Sequence, residues 1–219
     1  MKTIVCYGDS NTWGFMPKVD APQDWSVNRF APDVRWTGVL QRELGGEYRV
    51  EEEGLNGRTT YVDDPQDSCR NGLKYIDVCM QTKSPVDMVV LMLGTNDTKD
   101  FLGLPPLMIA RGVESIVRRI EEGGYGYRGS APKILIVAPA RLHPELARAW
   151  PGEEFGANAI RKDQALAEQY RKIADAHGAY FLDAGSEIMA DEADCVHMNE
   201  EGHAKLGKMV AKIVKAALE

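Results

Sequence analysis

The chain is 219 residues long, 44% of them apolar and 27% charged, with a formal net charge of −7. That length suits one large α/β domain over residues 1–219, which can bury roughly 70% of the surface exposed by its unfolded chain, so a core forms without disulfides or structural metals. The 26 basic residues are scattered, which excludes a nucleic-acid or anionic-membrane surface, since such surfaces need clustered Lys and Arg.

No apolar run approaches the ~18 residues of a membrane span, and Met1-Lys2-Thr3 leads straight into a strand with no signal-peptide region before it, so a cytoplasmic protein is expected. Cys6, Cys69, Cys79 and Cys195 are neither spaced for a metal site nor dense enough for a disulfide scaffold. Reduced thiols, no metal and no cofactor are the expectation, with Cys195 in a packing role.

In chain order, Ile4-Val5-Cys6-Tyr7 has strand character and breaks at Gly8-Asp9-Ser10, leaving a serine where the chain turns. A long irregular connection from Trp13 to about Arg35 follows, with Pro17, Pro22, Trp25, Phe30 and Pro32; a loop of that length is a lid, a binding loop or an interaction arm. Arg35 to Leu44 reads as a helix with Trp36, Val39, Leu40 and Leu44 on its apolar face, stopped by Gly45-Gly46. Tyr48 to Glu53, with three glutamates, reads as an edge strand, closed by Gly54-Leu55-Asn56-Gly57.

Gly72 to Thr82 reads as a helix, and Val86 to Leu93 as a strand buried on both faces, ending in Gly94-Thr95-Asn96-Asp97. Pro105 opens a helix whose apolar face is Leu107, Ala110, Val113, Ile116, Val117 and Ile120. Lys133 to Ala138 is a fourth strand. The connection from Pro139 to about Asn158 is rich in aromatics for a solvated loop, so it is expected to fold over a site or against a neighbouring subunit. Ile160 to His177 is a helix, Ala179 to Asp183 a fifth strand, and Asn199 caps a last helix with Leu206, Met209, Val210, Ile213, Val214 and Ala217 inside. Alternating strands and helices imply a doubly wound parallel sheet clad on both faces.

Four stretches carry chemistry. Ser10, Gly57 and Asn96 follow strands one, two and three, which are neighbours in a sheet ordered 2-1-3-4-5, so they converge at one rim. The fourth stretch is Asp194-Cys195-Val196-His197. A serine attacks an acyl carbon only with a base in hydrogen-bond reach, and an Asp three residues before a His can orient the imidazole. Asp191 competes with Asp194 for that place, and Gly54 with Gly57. Asp9 and Asp97 read as acceptors that hold loops, and His143, His177 and His203 as structural or exposed. Gly-Asp-Ser also fits an ordinary helix-capping turn, and a doubly wound sheet also suits a phosphate- or nucleotide-binding domain. That second reading calls for a Gly-x-Gly-x-x-Gly or Gly-Lys-Ser/Thr loop after strand one, and neither is present.

Taken together, Gly8-Asp9-Ser10, the glycine after strand two, Gly94-Thr95-Asn96-Asp97 and Asp194-x-x-His197 resemble the four blocks of the SGNH (GDSL) hydrolase superfamily, over essentially the whole chain. Trp13-Gly14, Ala31-Pro32-Asp33-Val34-Arg35-Trp36-Thr37-Gly38 and Thr95 to Lys99 further resemble its bacterial arylesterase and acyltransferase branch. The resemblance implies a flavodoxin-like five-stranded parallel sheet and a serine esterase for small-molecule carboxylic esters. Ser10 resembles the nucleophile, His197 the base and Asp194 its orienter. The backbone N–H groups of Ser10 and Gly57, with the Asn96 side chain, would form the oxyanion hole.

Asn11 stands where the family name has leucine, which points to short acyl groups, and Asn11, Trp13 and Phe15 are candidate substrate-binding residues, with core packing the competing role for the aromatics. Acetyl or aryl esters are the expected substrates, with acyl transfer or perhydrolysis as side activity. Carbohydrate deacetylation and thioester cleavage use the same machinery. The resembling branch forms homo-oligomers, and the two long connections are where a subunit contact is expected.

Overall fold

The computed structural model describes residues 1–24 and 27–218; Trp25 of the first long connection lies outside them. The described chain runs β1 (Lys2–Gly8), α1 (Ser10–Trp13), α2 (Trp36–Leu44), β2 (Tyr48–Gly54), α3 (Gly72–Lys83), β3 (Met88–Met92), α4 (Pro106–Glu122), β4 (Lys133–Ala138), α5 (Gly152–Phe155), α6 (Ala159–His177), β5 (Tyr180–Asp183) and α7 (Glu200–Leu218). The strands form one parallel sheet in the order β2-β1-β3-β4-β5. Every element expected from periodicity is present, with ends moved by a residue or two. Two short helices, α1 and α5, lie in stretches without enough periodicity to show.

Side chains alternate across a strand, and here the alternation sorts the core into two layers. Val5, Tyr7, Val89, Leu91 and Ile136 pack with Ile76 of α3, Val113 and Ile116 of α4, and Leu166 and Tyr170 of α6. Ile4, Cys6, Val90, Met92 and Val137 point the other way, onto Trp36 and Leu40 of α2 and Leu206 and Val210 of α7. All of β3 is buried. At about 1.5–3 kcal/mol for each large apolar side chain fully buried, that explains why an uninterrupted apolar strand takes a central place.

The glutamates of β2 sit at the sheet edge and are neutralised there. Lys83 pairs with Glu51 at 3.5 Å and Glu53 at 2.9 Å, while Arg29, Arg35 and Thr37 gather on Glu52.

Two expectations about helix faces change. Leu107 is 54% exposed and Ile109 takes the buried place. Leu107 is six residues from Val113, so at about 100° per residue it lies roughly 120° round the helix, outside the apolar stripe. Met209 and Ile213 are only half-buried and border an open apolar groove with Tyr180 and Leu182 at the β5 edge.

His203, on α7, is fully buried, and its Nδ1 accepts the backbone N–H of Trp36 at 3.2 Å, fastening α7 to the start of α2. Burial, with His197 and Arg35 nearby, pushes its pKa down to about 3. A group depressed below its unfolded value of about 6.5 contributes stability above that pH and loses it as pH falls toward 3, because the unfolded chain takes up the proton first. Asp9, Asp97 and Asp163, pushed up to about 6 by burial, act with the opposite sign, gaining stability as pH falls through 6. The difference between wild type and His203→Asn, which keeps an acceptor but does not titrate, therefore isolates the imidazole. The Tm gap between the two is expected to be widest at pH 7 and above and to narrow steadily toward pH 4; a gap independent of pH would remove His203 from the acid response.

Candidate active site

β1, β2 and β3 are in parallel register, with Gly8 opposite both Gly54 and Met92. Their following turns therefore leave the sheet side by side. After Gly8, Asp9 caps α1 by accepting the Asn11 N–H at 3.0 Å, and Ser10 is the first residue of that helix. The Gly-Asp-Ser turn is thus a helix cap as well as the place where the serine is presented. A carboxylate there leaves no cradle for a phosphate, which removes the structural basis for a nucleotide-binding reading.

Between β5 and α7 the chain folds tightly on itself. Asp194 Oδ1 accepts the backbone N–H groups of Val196 (3.0 Å) and His197 (2.9 Å), and Asp191 N donates to His197 O at 2.8 Å. Cys195 takes a positive φ of 65° inside this turn. The three-residue spacing lets Asp194 Oδ2 also reach His197 Nδ1 at 2.7 Å, and His197 Nε2 lies 2.9 Å from Ser10 Oγ. An ionised carboxylate only accepts, so Nδ1 carries the ring proton and Nε2 is free to accept from the Ser10 hydroxyl. Asp191 instead caps Ala193 N and holds Asn199, so Asp194 is the carboxylate on the imidazole.

Asp194 is fully buried. Burial raises its pKa, but the adjacent imidazole, the hydrogen bond to it and the two backbone N–H groups outweigh that, and the carboxyl is held below the usual range. Asp9 and Asp97 do hold loops. Asp97 accepts the Thr60 N–H (2.9 and 3.0 Å) and its hydroxyl (2.5 Å).

Ser10 and His197 open into a cavity of about 390 Å³ whose lining includes Phe15, Gly57, Asn96, Trp150 and Phe155. Asn96 Nδ2 donates one N–H to Arg58 O at 3.1 Å, which leaves the other amide proton for a ligand. Gly57, not Gly54, is the glycine at the cavity. It sits in a turn closed by Arg58 N to Leu55 O (3.1 Å) with φ of 77°, and a Cβ there would lie 2.4 Å from Arg70 Nε. Gly54 is where the backbone of Trp13 crosses β2, 2.1 Å from the place of a Cβ.

The three candidate substrate residues separate. Phe15 lines the cavity and packs on His197 with ring centroids 4.2 Å apart. Trp13 is outside the lining and stacks instead on the Arg29 guanidinium, 4.7 Å away. Asn11 is buried and also outside it. Its Oδ1 accepts Met198 N at 2.9 Å and its Nδ2 donates to Val196 O at 3.3 Å, tying the serine turn to the histidine turn. Asparagine in place of leucine is thus explained by a loop-to-loop tie and not by contact with an acyl chain.

The second long connection folds over the site, as its aromatic content implies. Trp150, Pro151, Glu154 and Phe155 form a wall of the cavity, and Trp150 Nε1 donates to Lys18 O at 3.0 Å, joining it to the first long connection. Sequence reasoning passed over Arg70, Lys99 and Glu154. Lys99, paired with Glu154 and set 5.4 Å from the Phe155 ring, ends the Thr95 to Lys99 block and was within reach of it; Arg70 and Glu154 left no signal.

A doubly wound parallel sheet that presents a Ser–His–Asp relay at the carboxyl ends of its strands defines a serine hydrolase. The GDSL-like Lipase/Acylhydrolase family model matches residues 6–205, and the chain belongs to that family. Among solved structures, an inhibitor-bound aryl esterase of M. smegmatis is 41% identical with a TM-score of 0.92, and 100% of each chain is covered. A carbohydrate acetylesterase of Sinorhizobium meliloti is 36% identical at TM-score 0.92, again over 100% of both chains. A lipase/acylhydrolase of Enterococcus faecalis, 20% identical at TM-score 0.69 over 100% of this chain and 98% of its own, shares the fold. No curated protein matches significantly. The chain is a carboxylic ester hydrolase of the SGNH serine esterase type. Among the described residues no helix is long and apolar enough to cross a membrane.

Removing the Asn11 side chain leaves two buried backbone groups without partners, at about 1–3 kcal/mol each. Asn11→Ala is expected to lose on the order of 2–6 kcal/mol of stability in urea denaturation and to lower esterase turnover, because the histidine turn loses its hold. Wild-type stability in this variant would refute the tie.

Proposed function

We propose that the chain cleaves short-chain acyl esters, acetyl and aryl esters among them, through an acyl-enzyme on Ser10, and that residues 1–219 form a single catalytic domain. The observation that carries this is the continuous chain of contacts from Asp194 through His197 to the Ser10 hydroxyl, opening into the cavity that Gly57 and Asn96 also line. His197 takes the Ser10 proton as Oγ attacks the carbonyl carbon, then gives it to the departing alcohol. Water, activated by the same nitrogen, releases the acid. Asp194, kept ionised, holds the tautomer and stabilises the imidazolium. The Ser10 and Gly57 N–H groups and the free amide proton of Asn96 receive the developing oxyanion, one donor typically being worth about 10²–10³ in turnover. Phe15 and Phe155 supply apolar wall. Passing the acyl group to an alcohol or peroxide uses the same intermediate when these walls keep water out.

A second reading, deacetylation of a carbohydrate, is favoured by the polar share of the lining: Asn56, Gln66, Asp67, Arg70, Lys99 and Glu154 offer hydrogen-bonding partners for a polyhydroxyl alcohol. Turnover of aryl acetates beside acetylated sugars, over increasing acyl length, separates the two. Free cysteines at 6, 69, 79 and 195 agree with a cytoplasmic location.

Ser10→Ala and His197→Ala are each expected to lower p-nitrophenyl acetate turnover by about 10⁴-fold or more, because the groups act as a unit. An organophosphonate should add mass to the peptide containing Ser10 in wild type and not in Ser10→Ala; absence of labelling in folded wild type would sink acyl chemistry at this residue. Asn96→Ala should keep labelling but reduce kcat by roughly 10²–10³ with little change in KM.

We also propose a homo-oligomer in which the joined connections, 13–35 and 139–158, meet another subunit; Val19 in the first is 74% exposed. Light scattering should give a mass above that of one chain at micromolar concentration, and a monomer there overturns the proposal.

A further inference from the structure

We propose that Arg58 is a positioning residue that holds the three oxyanion donors in one arrangement, an inference that rests on the esterase reading above. Arg58 is 3% exposed and lies one residue beyond Gly57. Its Nη1 donates to Gly8 O, the last carbonyl of β1, at 2.8 Å and also to Glu53 O, one residue before the end of β2, the two strands that lead to Ser10 and to Gly57. Its own N–H closes the turn around Gly57, and its own carbonyl accepts Asn96 Nδ2. One residue thus touches the Ser10 approach, the Gly57 turn and the Asn96 amide.

The guanidinium is fixed in turn. It lies 4.3 Å from the centroid of Tyr7 and 5.5 Å from that of Tyr75, two rings that stack at 6.5 Å, and the Tyr7 hydroxyl is anchored on Gly72 O at 2.7 Å. Beyond Arg58, Asp97 grips Thr60 by its N–H and hydroxyl. The loop that carries Gly57 is therefore clamped at residues 58 and 60 by the consecutive side chains of Asn96 and Asp97. Burying a cation is unfavourable unless its protons are satisfied by well-placed acceptors. Here Nη1 bonds two backbone carbonyls at the ends of β1 and β2 and the tyrosine rings face the cation, while the buried Nε has no hydrogen-bond partner among the described residues, so the guanidinium is held on one side and any movement of one turn is felt by the other. Oxyanion donors gain their effect from being oriented before the charge develops, and Arg58 supplies that orientation without touching substrate.

The test is Arg58→Met, Arg58→Lys and Asn96→Ala, alone and combined, with folding followed by circular dichroism. Arg58→Met is expected to keep KM for p-nitrophenyl acetate within about threefold while kcat and the rate of organophosphonate labelling fall together by roughly 10²-fold. Arg58→Lys should recover about tenfold of that loss, since an ammonium can still donate to two carbonyls. Asn96→Ala should have less than about tenfold further effect in the Arg58→Met background, the donors being already misplaced. Unchanged kcat in Arg58→Met, or losses that multiply in the double variant, would overturn the inference. Should Arg58→Met not fold, Tyr75→Leu, which removes one ring from the guanidinium, is expected to lower kcat severalfold at constant KM, and an unchanged kcat there overturns it equally. A full effect of Asn96→Ala with inert Arg58 variants sinks this inference alone; an inert Asn96→Ala sinks the oxyanion-hole reading beneath it.

Discussion

Parallel register at the end of β1 is the constraint on which the site depends. Because Gly8 pairs with Gly54 on one side and with Met92 on the other, three chain segments leave the sheet at the same height. A slip of one residue in either pairing would turn the side chains of a whole strand to the opposite face and would move one turn away from the others. The sorting of β1, β3 and β4 residues between the α3/α4/α6 layer and the α2/α7 layer prevents such a slip, since each alternate side chain is buried against a different set of helices. Apolar packing far below the rim thus fixes the positions of Ser10, Gly57 and Asn96.

That register places the turns but does not hold them, and polar side chains complete the work. Asn11 ties the Ser10 turn to Val196 and Met198, Asn96 and Asp97 grip residues 58 and 60, and Arg58 reaches back to Gly8. Each tie joins segments far apart in sequence, so a rigid site is built from loops whose own backbones have little regular structure. The aromatic wall from residues 150 to 155 lies outside this net and is joined to the first long connection through Trp150.

Much of this was legible in the sequence for physical reasons. Long strands and helices with one apolar face reveal themselves by period, and Gly8-Asp9-Ser10, Gly94-Thr95-Asn96-Asp97 and Asp194 to His197 stand at element boundaries where apolar periodicity stops. What stayed hidden has a common cause. The roles of Asn11 and Arg58 are defined by backbone groups of other segments, and a backbone carbonyl leaves no mark in a sequence. α1 and α5 are four residues each, too short for a period to show. Leu107 misled because it is apolar yet out of phase with Val113, and so falls outside the buried stripe.

The buried carboxylates show how one residue type is set to different tasks. Asp9 and Asp97 are buried at least as deeply as Asp194, and Asp97 accepts both the N–H, shared between its two oxygens, and the hydroxyl of Thr60, yet burial pushes both up to about 6 while Asp194 is held below the ordinary range. Deeper burial of Asp9 and Asp97 is one part of the contrast, and hydrogen bonds alone do not offset it. What Asp194 has in addition is a hydrogen-bonded imidazole partner, which Asp97 lacks, together with two backbone N–H groups from its own turn. An acid so placed stays ionised well below neutral pH, and an ionised acceptor is what keeps the proton on Nδ1 and the lone pair on Nε2 toward Ser10. Asp9 and Asp97 serve only as acceptors for loop N–H and hydroxyl groups, a task that tolerates a pKa of about 6, because at neutral pH they are still mostly ionised. The same physics that would make a buried aspartate a liability elsewhere thus separates here the carboxylate that faces the imidazole from those that hold loops.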